Sequence, residues 1–174
     1  MQATDFNITK VLNNEIDALI EIAKSTFIAF FKEFNSHENL DDYVVQAFSK
    51  SKIASELANT NSEFYFAKHQ NKIVGYLKVN FASAQTELHD STSLEIERIY
   101  VTQDFIGKKV GQVLFNKALE IALSQQLRYI WLGVWEHNLR AIRFYEKQNF
   151  VKFDTHIFTL GTDLQTDYLM KLQL

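Results

Sequence analysis

The run from Leu94 to Asn116 (LEIERIYV, then TQDFIGKKVGQ, then VLFN) sets residues able to do chemistry in a definite order. Two carboxylates, Glu95 and Glu97, sit in an apolar, β-branched stretch that suits a strand. A polar loop with Gly107 and Gly111 follows. Val110, Val113, Leu114, Ala118, Ile121 and Ala122, with the stem of Lys117, then recur at helical spacing. A strand feeding a glycine-bearing turn and a helix N-terminus gathers free backbone N–H groups at the positive end of a helix dipole. That arrangement suits a phosphate or pyrophosphate, although a glycine near a helix start is more often only a turn. Strand alternation predicts Glu95, Glu97, Ile99 and Val101 on one face, with Leu94, Ile96, Arg98 and Tyr100 on the other.

The elements that must position this stretch follow from the rest of the chain. At 174 residues it is most simply one domain, 1–174, with a sizeable core. Apolar content of 47%, with aromatic residues making up 14% of the chain, argues for a folded globule rather than a disordered chain. A net charge of −3 and no block of like charge disfavour nucleic acid as the main partner. The absence of cysteine excludes disulfides, thiolate metal sites and a thiol acyl-enzyme. MQATDFNITK has no signal-peptide pattern, and no apolar run would span a bilayer, so the expectation is a cytoplasmic protein with no membrane partner.

In order, Asn13 or Asn14 is expected to cap a helix with apolar positions from Ile16 to Phe34. After the polar break 35–39 come a second helix (Leu40, Tyr43, Val44, Ala47, Phe48) and then Ile53, Leu57 and Ala58, which fit a short third helix or the continuation of the second. Phe64–Phe66 opens a strand, Gln70–Asn71–Lys72 a turn, and Ile73–Phe81 the returning strand of a hairpin, with Gly75 marking a bulge. Ser83–Ser93 reads as a loop, and the central helix runs to about Gln126. Tyr129–Trp135 (YIWLGVW) is expected to be a strand buried on both faces, completing a parallel β–α–β unit with Leu94–Val101. Asn138 caps a last helix, and Phe150–Leu160 and Thr166–Leu172 close the chain as two strands around a turn at Gly161–Leu164. The architecture is therefore α/β: helices, an antiparallel meander, one parallel crossover and a terminal hairpin. Ligands gather at the carboxyl ends of parallel strands flanking such a crossover.

This order, with LEIERIYV and its following loop, and with WLGVWEHN leading into AIRFYEKQNF, resembles the GNAT superfamily of acetyl-CoA-dependent N-acetyltransferases. Within it the chain is most similar to the PaiA-type spermidine/spermine N-acetyltransferases, also through the Phe-Lys-Glu and Asn-Ser-x-Glu-Asn segments at 31–39 and through Gln165-Thr166-Asp167. The resemblance implies a GNAT-like mixed, mostly antiparallel sheet with one parallel β-α-β crossover and helices on both faces. It also implies acetyl-CoA as co-substrate, no metal, and a small amine as acceptor. The loop departs from the family frame: Ile106 and Lys109 stand where Gln/Arg and a middle glycine are usual, and Gly111 is kept. Gly107 can supply the turn, and Lys108 and Lys109 can compensate by charge, whereas a lysine in place of glycine can also crowd a pyrophosphate.

Carried residue by residue, the resemblance implies that Glu97 is the base acting through water, with Glu95 weaker, because an amine near the lysine pKa of ~10.4 must be deprotonated. The bland alternative for both is pairing with Arg98 or with basic side chains across the sheet. Backbone groups of Ile99, Tyr100 and Val101 would hold the pantetheine arm between splayed strands, and Ile106, Gly107, Lys108, Lys109, Val110, Gly111 and Gln112 the pyrophosphate. Tyr145 would donate to the leaving thiolate, Asn138 contact the cofactor while capping its helix, and Lys147 touch a phosphate. His37, His69, His89, His137 and His156 show no metal spacing, and His137 alone adjoins the site.

A polyamine acceptor calls for spaced carboxylates and aromatic walls: Glu33, Glu95 and Glu136, with Glu38 and Asp41 as further candidates, and Trp135, with Tyr43 and Trp131. The leading expectation is acetyl transfer to a polyamine by direct attack in a ternary complex. The alternatives are a peptide or protein N-acetyltransferase, or a weakly catalytic acyl-CoA-binding regulator supported by the altered loop. Edge strands are compatible with a homodimer.

Overall fold

The computed structural model describes residues 2–160 and 163–174. A seven-stranded sheet runs in the order β1-β2-β3-β4-β5-β7-β6, built from β1 (Asn7–Lys10), β2 (Ser62–His69), β3 (Lys72–Phe81), β4 (Ser93–Val101), β5 (Tyr129–Trp135), β6 (Val151–Leu160) and β7 (Asp163–Gln173). β4 and β5 are parallel and every other neighbouring pair is antiparallel. Helices α1 (Ile16–Phe31), α2 (His37–Ala47) and α3 (Lys50–Ala58) cover one face. α4 (Val110–Ser124) and α5 (Leu139–Lys147) cover the other. The expected mixed sheet with one crossover and helices on both faces is therefore present.

The amphipathic stripes explain the two layers. Leu19, Ala23, Phe27 and Phe31 pack with Val44, Phe48 and Ile53 on Phe64, Phe66 and Tyr76. Val110, Leu114, Ala118 and Ala122 of α4 pack on Leu77, Val79, Leu94 and Ile130. Gly75 is required where β3 meets β4 beneath α4: a Cβ there would lie 2.7 Å from the Tyr100 carbonyl oxygen of β4 and 3.2 Å from the Val110 side chain of α4. The bulge expected at Gly75 falls one residue earlier, where Val74 is the extra residue between the pairs Lys68–Ile73 and Ala67–Gly75.

Several boundaries differ from expectation. Neither Asn13 nor Asn14 caps α1; they lie in a short 3₁₀ turn, and the Glu15 carboxylate accepts from the Leu12 N–H at 3.1 Å. α1 stops at Phe31, and the polar break contributes the first turn of α2, where Ser36 Oγ accepts from Asn39 N–H at 3.3 Å. The hairpin turn is two residues, Gln70 (φ 47°) and Asn71 (φ 67°), both left-handed, so Lys72 already belongs to β3. Half of the turn expected at 161–164 lies outside the described residues, and Asp163 and Leu164 belong to β7.

Candidate active site

The parallel ladder between β4 and β5 extends only over Ser93–Glu95 against Tyr129–Trp131. Beyond it the strands part, as expected, and a cleft of about 1080 Å³ opens between them. One residue explains the parting. Arg98 pairs with Lys78 and Ile96 with Val79, so Glu97 is an inserted residue on β4. Such a bulge kinks the strand and shifts the facing of everything after it. The face assignment by simple alternation is thereby corrected. Ile99 and Val101 join Leu94 and Ile96 against the α4 core, while Arg98 and Tyr100 point with Glu95 toward α1–α3. Arg98 lies over the Phe48 ring at 5.2 Å, and Tyr100 stacks on Tyr76 at 5.8 Å.

Glu97 sits inside a buried ion cluster. Its carboxylate meets Lys78 Nζ at 2.5 Å and Arg98 at 3.0 Å, and accepts from Asn80 Nδ2 at 2.5 Å. Glu56 of α3 closes the ring, 3.0 Å from Lys78 and 3.2 Å from Arg98. Burial works to raise the Glu97 carboxyl, but the charges of Arg98 and Lys78 and the bonds from Lys78 and Asn80 outweigh it and hold it below the usual range. The expected bland alternative, pairing across the sheet, is thus physically present. Glu97 also forms part of the wall between the cleft and a second, polar hollow of about 640 Å³ lined by Lys52, Glu56 and Ser62. Glu95 behaves oppositely: burial raises its carboxyl, against bonds from Thr86 and Asn80.

At the loop end, Ile106, Gly107, Lys109, Gly111 and Gln112 line the cleft. Gly107 has φ +78°, and Lys109 has φ +70° despite its side chain, so the lysine takes up the backbone geometry a glycine would supply. The N–H groups of Val110, Gly111 and Gln112 precede the first intrahelical bond, from Val113 N–H to the Lys109 carbonyl at 3.1 Å. Unpaired strand edges beside free N–H groups and a lysine fit the pantetheine and phosphates of an acyl-CoA. Lys109→Gly should therefore act in two directions. Thermal stability should rise by about 1 kcal/mol as the left-handed strain goes. Coenzyme A should bind about threefold more weakly at low salt, the loss fading as salt screens the charge; titration calorimetry at two ionic strengths reads it.

Not every expected ligand residue reaches the cleft. The Val110 side chain is in the core, Lys108 lies over Phe105 at 5.0 Å, and Lys147 is exposed in the last turn of α5; none of the three is on the lining. Their spacing put them near the loop and the helix, but their side chains turn to core or solvent. Glu38, Asp41 and Glu136 are also off the lining. Arg140, which sequence reading missed, stands on it at the first turn of α5 with Asn138. Asn138 caps that helix, its Oδ1 accepting from Ala141 N–H at 3.1 Å. Tyr145 reaches the cleft from the same helix, packed on Phe144 and Phe150 at 5.3 and 5.5 Å, and burial holds its phenol well above the usual value.

At the other end the wall is aromatic and acidic. Phe27, Phe30, Phe31, Tyr43, Trp131 and Trp135 line it with Glu33, Glu87, Glu95, Glu97 and Asp167. Asn35, after α1, accepts from Gln165 Nε2 of β7 at 3.2 Å. Asp167 was visible in sequence only within the terminal tripeptide; β5–β7 pairing brings it opposite Trp135. Burial raises its carboxyl to about 6, with Glu136 adding and His156 opposing. A folded pKa above the unfolded value adds stability below about 3.8, lost as pH rises through about 6. Asp167→Asn should accordingly raise Tm at about pH 8 and leave it nearly unchanged at about pH 3 in thermal melts, conditions that bracket both values. Among the described residues, no group of three or more His, Asp or Glu side chains is placed to hold a metal, and no helix is long and apolar enough to cross a membrane.

Comparison with known proteins agrees with this geometry. A model of the acetyltransferase (GNAT) family matches residues 16–150. The chain is 37% identical over 171 residues to an uncharacterized N-acetyltransferase of Lactobacillus delbrueckii subsp. lactis, covering 98% of this chain and 99% of that protein. It is 23% identical to a spermidine N(1)-acetyltransferase of Thermoplasma acidophilum, over 85% of this chain and 89% of the other. Among solved structures, PaiA N-acetyltransferase of T. acidophilum in complex with coenzyme A superposes with a TM-score of 0.80 at 20% identity, over 97% and 99% of the two chains.

Proposed function

The chain belongs to the acetyltransferase (GNAT) family, and from that premise we propose that it moves acetyl from acetyl-CoA to a primary amine of a polyamine such as spermidine or spermine, or of a similar small amine. The division of charge along the cleft carries this reading. Lys109 stands at the loop end, where phosphates would lie, and Glu87, Glu95, Glu97 and Asp167 share the lining with the aromatic rings at the other. A polycation is drawn to the second end and an anionic cofactor to the first. The likeness to a spermidine N(1)-acetyltransferase points the same way.

Acetyl-CoA brings an activated thioester; the remaining work falls to the chain. The β5-facing backbone of Ile99, Tyr100 and Val101 holds the arm and donates to the thioester carbonyl. The amine arrives as an ammonium and must lose a proton before it attacks. Glu97, held ionised by Lys78 and Arg98, takes that proton through water and passes it toward the polar hollow behind it. As the carbon–sulfur bond breaks, Tyr145 donates its phenolic hydrogen bond to the departing sulfur. Asn138 fixes the start of α5 and so the place of Tyr145.

The test is acetyl-CoA-dependent thiol release with spermidine, spermine, aminoglycosides, free lysine and short peptides. Turnover on the polyamines is the expected result. No turnover on any amine, with coenzyme A bound by calorimetry, rejects the polyamine reading.

A further inference from the structure

The carboxyl groups of the acceptor end are not equally free. Glu97 is committed to Lys78, Arg98 and Asn80, and Glu95 to Thr86 and Asn80. Glu87 lies 3.3 Å from His156 Nε2, and Glu33 is exposed at the rim. Asp167 alone is inside the cleft with no hydrogen bond or ion pair among the described residues.

Its surroundings are those of a cation seat. Asp167 stands opposite Trp135 on β5 and opposite His156 on β6. Gly133, two residues before Trp135, offers no side chain to cover it; a Cβ there would lie 3.6 Å from Asp167 Oδ2. Tyr43 of α2 is close enough for the Asp167 charge to bear on its phenol, and Glu136 adds a second negative charge nearby. An unpaired, partly desolvated carboxyl beside an aromatic ring is costly when ionised, and an ammonium supplies the missing counter-charge with cation–π contact besides.

The geometry points to Asp167, set opposite Trp135 and over Gly133, as the seat of a second ammonium of the acceptor, one that is not acetylated. This rests on the acetyltransferase reading and narrows it: the preferred acceptor carries at least two amines on one alkyl chain, and the seat discriminates it from a monoamine by binding rather than by chemistry. His156 is the one cationisable side chain recorded beside Asp167 among the described residues, and it is already turned to Glu87.

The experiment titrates the coenzyme A-loaded protein with spermidine and with butylamine, for wild type and Asp167→Asn, and repeats both amines in turnover. The wild type should bind spermidine about tenfold or more tightly than butylamine, and the variant should lose that preference. In turnover, Asp167→Asn should raise KM for spermidine by a similar factor, with kcat held within about threefold and butylamine barely affected. The subsite is overturned if the variant weakens both amines alike, if the preference survives, if kcat collapses for both, or if the wild type binds no amine. The higher Tm expected of this variant at pH 8 shows that it is folded. Asp167-dependent binding without turnover rejects the acetylation reading and keeps the subsite; turnover without Asp167-dependent selectivity does the reverse.

Discussion

Tyr145→Phe should lower kcat on spermidine by about a hundredfold, with KM for acetyl-CoA little changed and Tm close to wild type. The ring keeps its contacts with Phe144 and Phe150, and no hydrogen bond to its hydroxyl is recorded among the described residues, so removing the oxygen orphans nothing. What is lost is a donor aimed where negative charge grows on sulfur. Because burial holds the phenol well above its ordinary value, Tyr145 stays protonated through neutral and mildly alkaline pH. Full proton transfer to a thiolate of pKa about 8.5 is then uphill, and the hydroxyl works mainly as a hydrogen bond that strengthens as the bond to sulfur breaks. It follows that Tyr145 places no basic limb on the rate between neutrality and its raised value. Steady-state kinetics of the variant checks the first point and the wild-type pH profile the second. A kcat within about threefold of wild type would remove Tyr145 from the chemistry.

The contrast between Tyr145 and Glu97 shows what a sequence displays and what it hides. Tyr145 follows from local pattern: Asn138 marks the helix start, and periodicity from Ala141 to Tyr145 sets the buried stripe. The β–α–β unit is legible for the same reason, since its strand and helix periods differ over long runs. The facing of β4 is not legible. LEIERIYV contains no glycine or other mark of a bulge, yet one inserted residue reverses Ile99, Tyr100 and Val101. A signal did exist on the opposite strand, where Lys78 and Asn80 alternate with Leu77 and Val79 and so ask for polar partners across the ladder. Asp167 was hidden differently. Its place depends on the register of β5 against β7, set by contacts more than thirty residues apart in sequence, which no local pattern encodes. Lys109 shows a third case: its identity in the loop was plain, but its left-handed backbone was not.

Lys78→Met tests whether the ion cluster tunes the base. The Lys78 side chain is 4% exposed and meets both Glu97 and Glu56, so its removal leaves two buried carboxylates sharing Arg98. Loss of one partner from such a cluster costs about 3 kcal/mol, more than an exposed pair. The pH dependence of that loss has a definite sign. The folded Glu97 carboxyl is depressed, so it contributes stability above its unfolded value, and that contribution disappears as pH falls through the folded value. Without Lys78 the depression shrinks, so the deficit of the variant should be largest near neutrality and should narrow in acid. The same loss raises Glu97 toward the ordinary carboxyl range, and with Glu97 as the base the acidic limb of kcat/KM moves to higher pH. The limb set by the amine itself, near pH ~10, is common to both proteins and leaves that comparison intact. Denaturant melts across pH and kcat/KM profiles taken well below Tm separate the two effects. A fall in stability with an unmoved limb would take the proton from Glu97.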